Sequence, residues 1–436
     1  PVGRCLRSGR HVLNSASSYS PAPPSHSTRI VAQSSSRARE LFTLPDYLRL
    51  WLIGAGVGIG RWLEFLALGI FAYQVTGSPS LVAAVAIVRM LPYVFCGFIV
   101  GALADYLDKK RMLALTFLGG STAFAVMAGL AAADMAGYGT VLVAAIVAGL
   151  MWTTDMPLRR RLLVDAAGIE RMTAALGFDN STHYATRAIG PIAGGAAYQL
   201  FGIDGIFLLS AGIYAACFYL TTRLNVREAA VSGTEGETRP SLLELLLPPK
   251  ELLRSRRFQV VLGVTIVYNI WCFPIISMVP VLGEEQFRLS PALIGALSAT
   301  EGIGGTIGAI LIGLWAGNTP LFRLYYFGIF AFSILLLTLS AWLTLGMAVV
   351  CLLLIGASAA CFSATQYALI YTMAPPKMRG RAAGFLSIFI GTSTIGFYNT
   401  GLLFSWFDAA DALMLMGGQG LIVTVILGMF WVRAKS

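Results

Sequence analysis

Twelve apolar runs succeed one another from Tyr47 to the C-terminus, centred on 50–73, 80–104, 112–133, 139–157, 172–197, 203–223, 258–282, 290–313, 322–343, 346–372, 382–406 and 409–432. Each is near the roughly 20 residues that a helix rising about 1.5 Å per residue needs to cross some 30 Å of hydrocarbon. Hydrophobic residues make up 57% of the 436 and charged ones 12%, where soluble domains average about 45–50% and roughly 25%. A soluble core cannot absorb that excess. The predicted fold class is therefore an all-α membrane protein with twelve transmembrane helices.

The net charge of +10 raises the question of nucleic acid, but that reading needs the basic residues gathered on one folded soluble face. They sit instead in short connections between apolar runs. Lys109, Lys110 and Arg111, then Arg159, Arg160, Arg161 and Arg171, then Arg323, Lys377, Arg379 and Arg381, and finally Arg433 and Lys435 occupy every second connection, and the alternate ones carry only Arg288. Loops rich in Lys and Arg stay cytoplasmic, which predicts both termini inside.

Residues 1–46 are rich in Ser, Pro and Arg and poor in acids, a composition too polar to bury a core. They are predicted to form a disordered basic extension, with a pattern that organelle transit peptides share. Segment 224–257 interrupts the apolar pattern with charge, Gly and Pro and carries the short amphipathic stretch SLLELLL. It reads as a cytoplasmic linker. Five of the six cysteines, Cys96, Cys217, Cys272, Cys351 and Cys361, fall inside apolar runs with no metal-ligand or disulfide spacing. No metal site or cofactor is expected.

Landmarks repeat across the linker. RMTAALGF (171–178) opens the fifth run as RGRAAGF (379–385) opens the eleventh, and GALAD (101–105) follows the second as GLWAG (313–317) follows the eighth. Matching signals about 210 residues apart in the same order indicate a duplicated six-helix unit, of the kind that encloses a midplane site in transporters. The units are predicted at 47–223 and 258–436, as two pseudo-symmetric bundles.

After the second run the chain reads Gly101-Ala-Leu-Ala-Asp105-Tyr-Leu-Asp-Lys109-Lys110-Arg111. This resembles the G-x-x-x-D-[RK]-x-G-[RK]-[RK] signature of the major facilitator superfamily, keeping the Gly, the Asp and the basic pair and departing at Tyr106 and Asp108. Gly101 permits close helix approach and Asp105 can accept hydrogen bonds from a neighbouring helix end, so the segment reads as a conformational latch. Asp155 and Arg159 are candidate latch partners. In the fifth run, Gly177-x8-Thr186-x3-Gly190-Pro191-x2-Gly194-Gly195 resembles the motif of the superfamily's drug–proton antiporters, with Thr186 in place of a Gly. The wider chain looks most like the branch of enterobactin-type siderophore and macrolide exporters. That resemblance implies a bacterial inner-membrane, monomeric exporter with small-molecule, proton and lipid partners. An arginine usual in the fourth helix of such antiporters is absent from VLVAAIVAGLMW.

Ionisable groups near helix centres cost about 2.5–3.5 kcal/mol each to insert and so must face the bundle interior. Arg61 and Glu64, three apart, share a face and can pair with each other. Glu64 can alternatively take up and release protons within an apolar cavity. Glu301 has no basic residue near it on its own run and is the first candidate for proton coupling. Asp179, His183 and Arg187 recur every four residues and form a candidate polar track. Arg89 and Arg187 read either as contacts for an anionic or catechol-like solute or as counter-ions of Glu64 and Glu301. Trp62, Phe65, Tyr268, Trp271 and Tyr367 are candidate cavity-lining aromatics. Arg61, Glu64, Arg89, Arg187 and Glu301 are expected to line one central cavity.

The absence of a P-loop, a zinc-protease motif or a nucleophile elbow speaks against an enzyme or an ATP-driven pump. The leading reading is proton-coupled export of a small amphiphilic compound such as a drug, siderophore or metabolite. The alternative is an importer or lysophospholipid-type flippase on the same fold, without proton coupling.

Overall fold

The computed structural model describes residues 40–103, 107–225, 250–315, 321–375 and 379–432, and among these no strand occurs. The main helices are α1 (Pro45–Thr76), α2 (Pro79–Leu103), α3 (Lys109–Ala132), α4 (Tyr138–Ala167), α5 (Met172–Thr222), α6 (Arg256–Val267), α7 (Pro291–Trp315), α8 (Leu321–Ala341), α9 (Leu345–Met373), α10 (Arg379–Ile390), α11 (Ser393–Trp406) and α12 (Ala409–Val432). Hydrocarbon offers no partner to a backbone N–H or C=O, so a chain this apolar must close its hydrogen bonds within helices.

Ten described stretches are long and apolar enough to cross a membrane. One of them holds two of the twelve apolar runs. The 51 residues of α5 fold back at Gly202, whose φ of 63° lies where only glycine is unstrained. The eleventh run is divided between α10 and α11, which are 12 and 14 residues long and each too short to span alone.

Beyond Val267 the chain leaves α-helical geometry. Widened π-type turns at Tyr268–Cys272 and Leu282–Gln286 flank a 3₁₀ stretch at Phe273–Met278. Pro274 and Pro280 cannot donate to an α-helical ladder, which accounts for the break.

Helix direction puts the connections rich in Lys and Arg at one end of the bundle, here called the basic end, and Arg288 at the other, the plain end. Glycines set how the helices meet. A Cβ on Gly190 or Gly194 of α5 would strike Trp62 or Leu63 of α1, and one on Gly195 would strike the Pro291 carbonyl and Gly295 of α7. The antiporter-like motif therefore wedges α5 between α1 and α7. Close to the plain end Tyr73 donates to Glu285 at 2.8 Å, the Ser80 N–H donates to Ser405 at 3.1 Å and the Ala292 N–H to Gln199 at 3.1 Å.

Packing starts ahead of Tyr47. Leu41 is fully buried, and the Phe42 ring meets Tyr47, Trp51 and Phe178 edge-on. The last residues of the predicted extension, 40–46, thus belong to the bundle. Residues 1–39 and the SLLELLL stretch lie outside the described residues.

Candidate functional site

The buried charges fall into two groups, because sequence spacing fixes which residues share a helix face but not what stands across from it. Arg61 and Glu64 do not pair with each other. Arg61 reaches Asp155 of α4 at 3.5 Å and lies over the Trp152 ring at 4.8 Å. Glu64 faces Arg89 of α2 at 3.7 Å, and Arg89 donates to the Arg61 carbonyl at 2.9 Å. Asp155 continues to Arg159 at 3.1 Å, and Arg159 reaches across to Asp179 of α5, which also holds Arg160 at 2.9 Å. The Arg159 guanidinium crosses α1 where Gly54 leaves room, in the place a Cβ would occupy. A chain of ion pairs, joined at one point by the hydrogen bond from Arg89 to the Arg61 backbone, therefore runs inside α1, α2, α4 and α5 from Glu64 to Arg160 near the basic end. Each buried ion here needs its partner, because an unpaired one would keep its full desolvation penalty.

Glu64 is fully buried, with Arg89 as its ion-pair partner at 3.7 Å and the Tyr214 and Ser210 hydroxyls beside its carboxylate. The Arg89 Nε and Nη1 have no hydrogen-bond partner among the described residues.

The second group crosses to α7. Arg187 of α5 donates from Nε to Glu301 at 2.6 Å, a short charge-assisted bond. Its guanidinium lies over the Trp62 ring at 4.8 Å. Arg187 and Glu301 border a hollow of about 10 Å³, roughly the space of one water, closed by Tyr268, Phe273, Ile276, Ser298, Phe332 and Leu352. Helices α5 and α7 also lie close at this level, where a Cβ on Gly302 would strike the backbone of Arg187 and Ala188. Nearer the basic end, Tyr184 and Ser363 share a hydrogen bond of 2.6 Å. The cation missing from the Glu301 helix is thus supplied by α5, in line with the counter-ion reading of Arg187 and Arg89.

The residues expected to line one cavity are divided, with Arg187 and Glu301 at the hollow just described. Arg89 borders a separate one with Phe65, Val85 and Ser277, while Arg61 and Glu64 border neither hollow. The polar track also divides: Asp179 joins the basic-end network, Arg187 joins Glu301, and His183 rests between Trp62 and Tyr184. Tyr268 stacks on Phe362 at 4.0 Å beside the Arg187 hollow. Trp271 is turned elsewhere, donating to Gln419 of α12 at 2.8 Å. Trp152, Ser210, Tyr214 and Arg160 carry no sequence signal of their own, since a Trp, Ser or Tyr within an apolar run, or one Arg of a basic triplet, has many equivalents in this chain.

Of the latch candidates, Asp105 lies outside the described residues, as do the side-chain surroundings of Gly101 at the end of α2. Lys109 is buried, Lys110 donates to the Leu224 carbonyl at 2.6 Å and Arg111 is exposed. Asp108, the departure from the signature, accepts from the Arg111 N–H at 3.0 Å and caps α3. Tyr367 lies on α9, and its side chain is outside the described ones.

The same arrangement of helices recurs in known proteins. Residues 50–395 match the family description Major Facilitator Superfamily. The Staphyloferrin A transporter of Staphylococcus aureus is 21% identical over 369 residues, covering 84% of this chain and 92% of its own. Macrolide efflux protein A of Streptococcus pyogenes is 22% identical over 341 residues, covering 77% and 84%. A crystal structure of the nucleoside transporter NupG superposes with a TM-score of 0.66 at 15% identity, covering 88% of this chain and 98% of that one. With a family match over most of its length and membrane-crossing helices to carry it, the chain belongs to the Major Facilitator Superfamily and is a multi-pass transporter of the bacterial plasma membrane, not an enzyme.

Proposed function

We propose that this transporter exports a small amphiphilic organic compound in exchange for protons, by alternating access between two six-helix halves, 47–223 and 258–432, joined by a cytoplasmic linker. Counting α5 as two spans divided at Gly202, and α10 with α11 as one, gives twelve. The alternation of Lys- and Arg-rich connections supports cytoplasmic termini. The observation that carries the reading is the distribution of contacts between the halves. Against Tyr184–Ser363 nearer the basic end and Arg187–Glu301 midway, Tyr73–Glu285, Ser80–Ser405, Gln199–Ala292 and Gly195–Gly295 lie toward the plain end. Such contacts hold the outer side closed, as one state of an alternating cycle requires.

Export is supported by likeness to a macrolide efflux protein. For protons, the two midplane carboxylates differ in what uptake would break. A proton reaching Glu301 must displace the 2.6 Å bond from Arg187, whereas one reaching Glu64 loosens only the longer 3.7 Å ion pair with Arg89 and meets neutral hydroxyls of Tyr214 and Ser210. Glu64 is therefore the favoured carrier, ahead of Glu301. The test is expression in an efflux-deficient host under a panel of drugs and siderophores. Lower accumulation of at least one compound is expected, with restoration by a protonophore and by Glu64→Gln. Higher accumulation would make the protein an importer, and efflux indifferent to both treatments would remove proton coupling.

A further inference from the structure

The surroundings of Arg187 hold more donors than acceptors. An arginine offers five N–H groups in one plane, and here the Trp62 ring covers its face at 4.8 Å, so bonding is left to the edge. One edge position, Nε, is taken by Glu301. The covering Trp62 ring also carries a buried Nε1–H that meets no acceptor among the described residues. The remaining wall is mostly apolar, with Phe273, Phe332 and Leu352, and its other polar side chains, Ser298 and Tyr268, are uncharged hydroxyls. A cationic solute would find its one carboxylate, Glu301, already engaged. A neutral apolar solute would offer the rest of the guanidinium edge no acceptor, at the cost of buried unsatisfied donors.

We propose that the transported compound is an anion on an apolar body, and that its anionic group binds Arg187 by taking the place of the Glu301 carboxylate. The hollow, about 10 Å³, has no room for a carboxylate beside the one already present. Rotation of Glu301 away from Arg187 vacates a space of the right shape, already aligned with a guanidinium edge. The apolar body then lies along Phe273, Phe332 and Leu352. The proposal rests on the exporter reading, in which α5 and α7 belong to different halves. The exchange replaces a bond between the halves with one between α5 and the solute, so loading the site also unfastens it. A solute that could not compete for Arg187 would leave the halves tied and would not be carried.

The experiment uses the full-length protein in nanodiscs of neutral lipid and three probes sharing one hydrocarbon body: 1-pyrenebutyrate, its methyl ester, and a pyrenyl trimethylammonium. Binding is read as tryptophan-to-pyrene energy transfer corrected for protein-free nanodiscs. The carboxylate is expected to bind about tenfold more tightly than the ester or the cation. Glu301→Gln should tighten the carboxylate several-fold, because its internal competitor is gone, and Trp62→Phe should weaken the carboxylate while sparing the ester. Arg187→Gln should erase the preference. If that variant does not fold, Glu301→Gln alone decides, since misfolding cannot raise affinity. Weaker carboxylate binding in Glu301→Gln, or a wild-type preference for the cation, would overturn the proposal. Proteoliposomes with an imposed pH gradient separate it from the exporter reading. Movement of the cation alone sinks the anion site and keeps the exporter. Carboxylate binding with no probe moved under the gradient sinks the exporter reading and, with it, the coupling of binding to unfastening.

Discussion

At the residue scale the consequences follow from which charges are compensated. Asp179 holds both Arg159 and Arg160, so Asp179→Ala should destabilise the protein by roughly 3–5 kcal/mol, read as a lower unfolding temperature in detergent. Gly54→Ala should act on the same network from the opposite side, by evicting the Arg159 guanidinium, and its loss should shrink when combined with Arg159→Met. If the two substitutions are simply additive, Gly54 does not act through Arg159. Asp108 offers a milder contrast. Replacing this N-cap by Ala should cost about 1 kcal/mol, and by the Gly usual in the superfamily signature only a few tenths. The sequence made these charged positions conspicuous, since an ion in an apolar run must have a reason. Their partners were not legible. Three-residue spacing made Arg61 and Glu64 neighbours on α1, yet Asp155 and Arg89 arrive from other helices and take them apart.

At the scale of elements, the antiporter-like motif is not uniform. Gly177 is exposed, with nothing within 4 Å of where a Cβ would stand. Gly177→Ala should therefore be silent for transport and stabilise α5 by up to about 1 kcal/mol through helix propensity. Gly190→Ala and Gly302→Ala meet neighbouring backbone, which cannot rotate aside, and should lower both unfolding temperature and transport. Equal tolerance of all three would show that the motif does not set helix spacing. That α5 is a dense packing helix could be read from its glycines. That Gly190 and Gly194 face α1 while Gly195 faces α7 could not, because the pattern on one helix carries no label for its neighbours. The broken geometry after Val267 had only Pro274 and Pro280 as its warning in the sequence.

For the whole molecule, hydropathy marked the apolar segments because hydrocarbon thickness imposes a fixed length on every crossing segment, and ten described stretches are long and apolar enough to cross. What hydropathy leaves open is which ends touch. A Ser80→Cys/Ser405→Cys pair, in a background without native cysteines, should cross-link and stop transport until reduced, since these residues already share a 3.1 Å hydrogen bond. Orientation is open to a direct check. A cysteine at Arg288 should react with an impermeant maleimide on intact cells, and one at Lys110 only after lysis. The fold at Gly202 joins its two spans across a bend with no intervening loop, so the pair forms a helical hairpin whose tip carries the single exposed charge of Asp204.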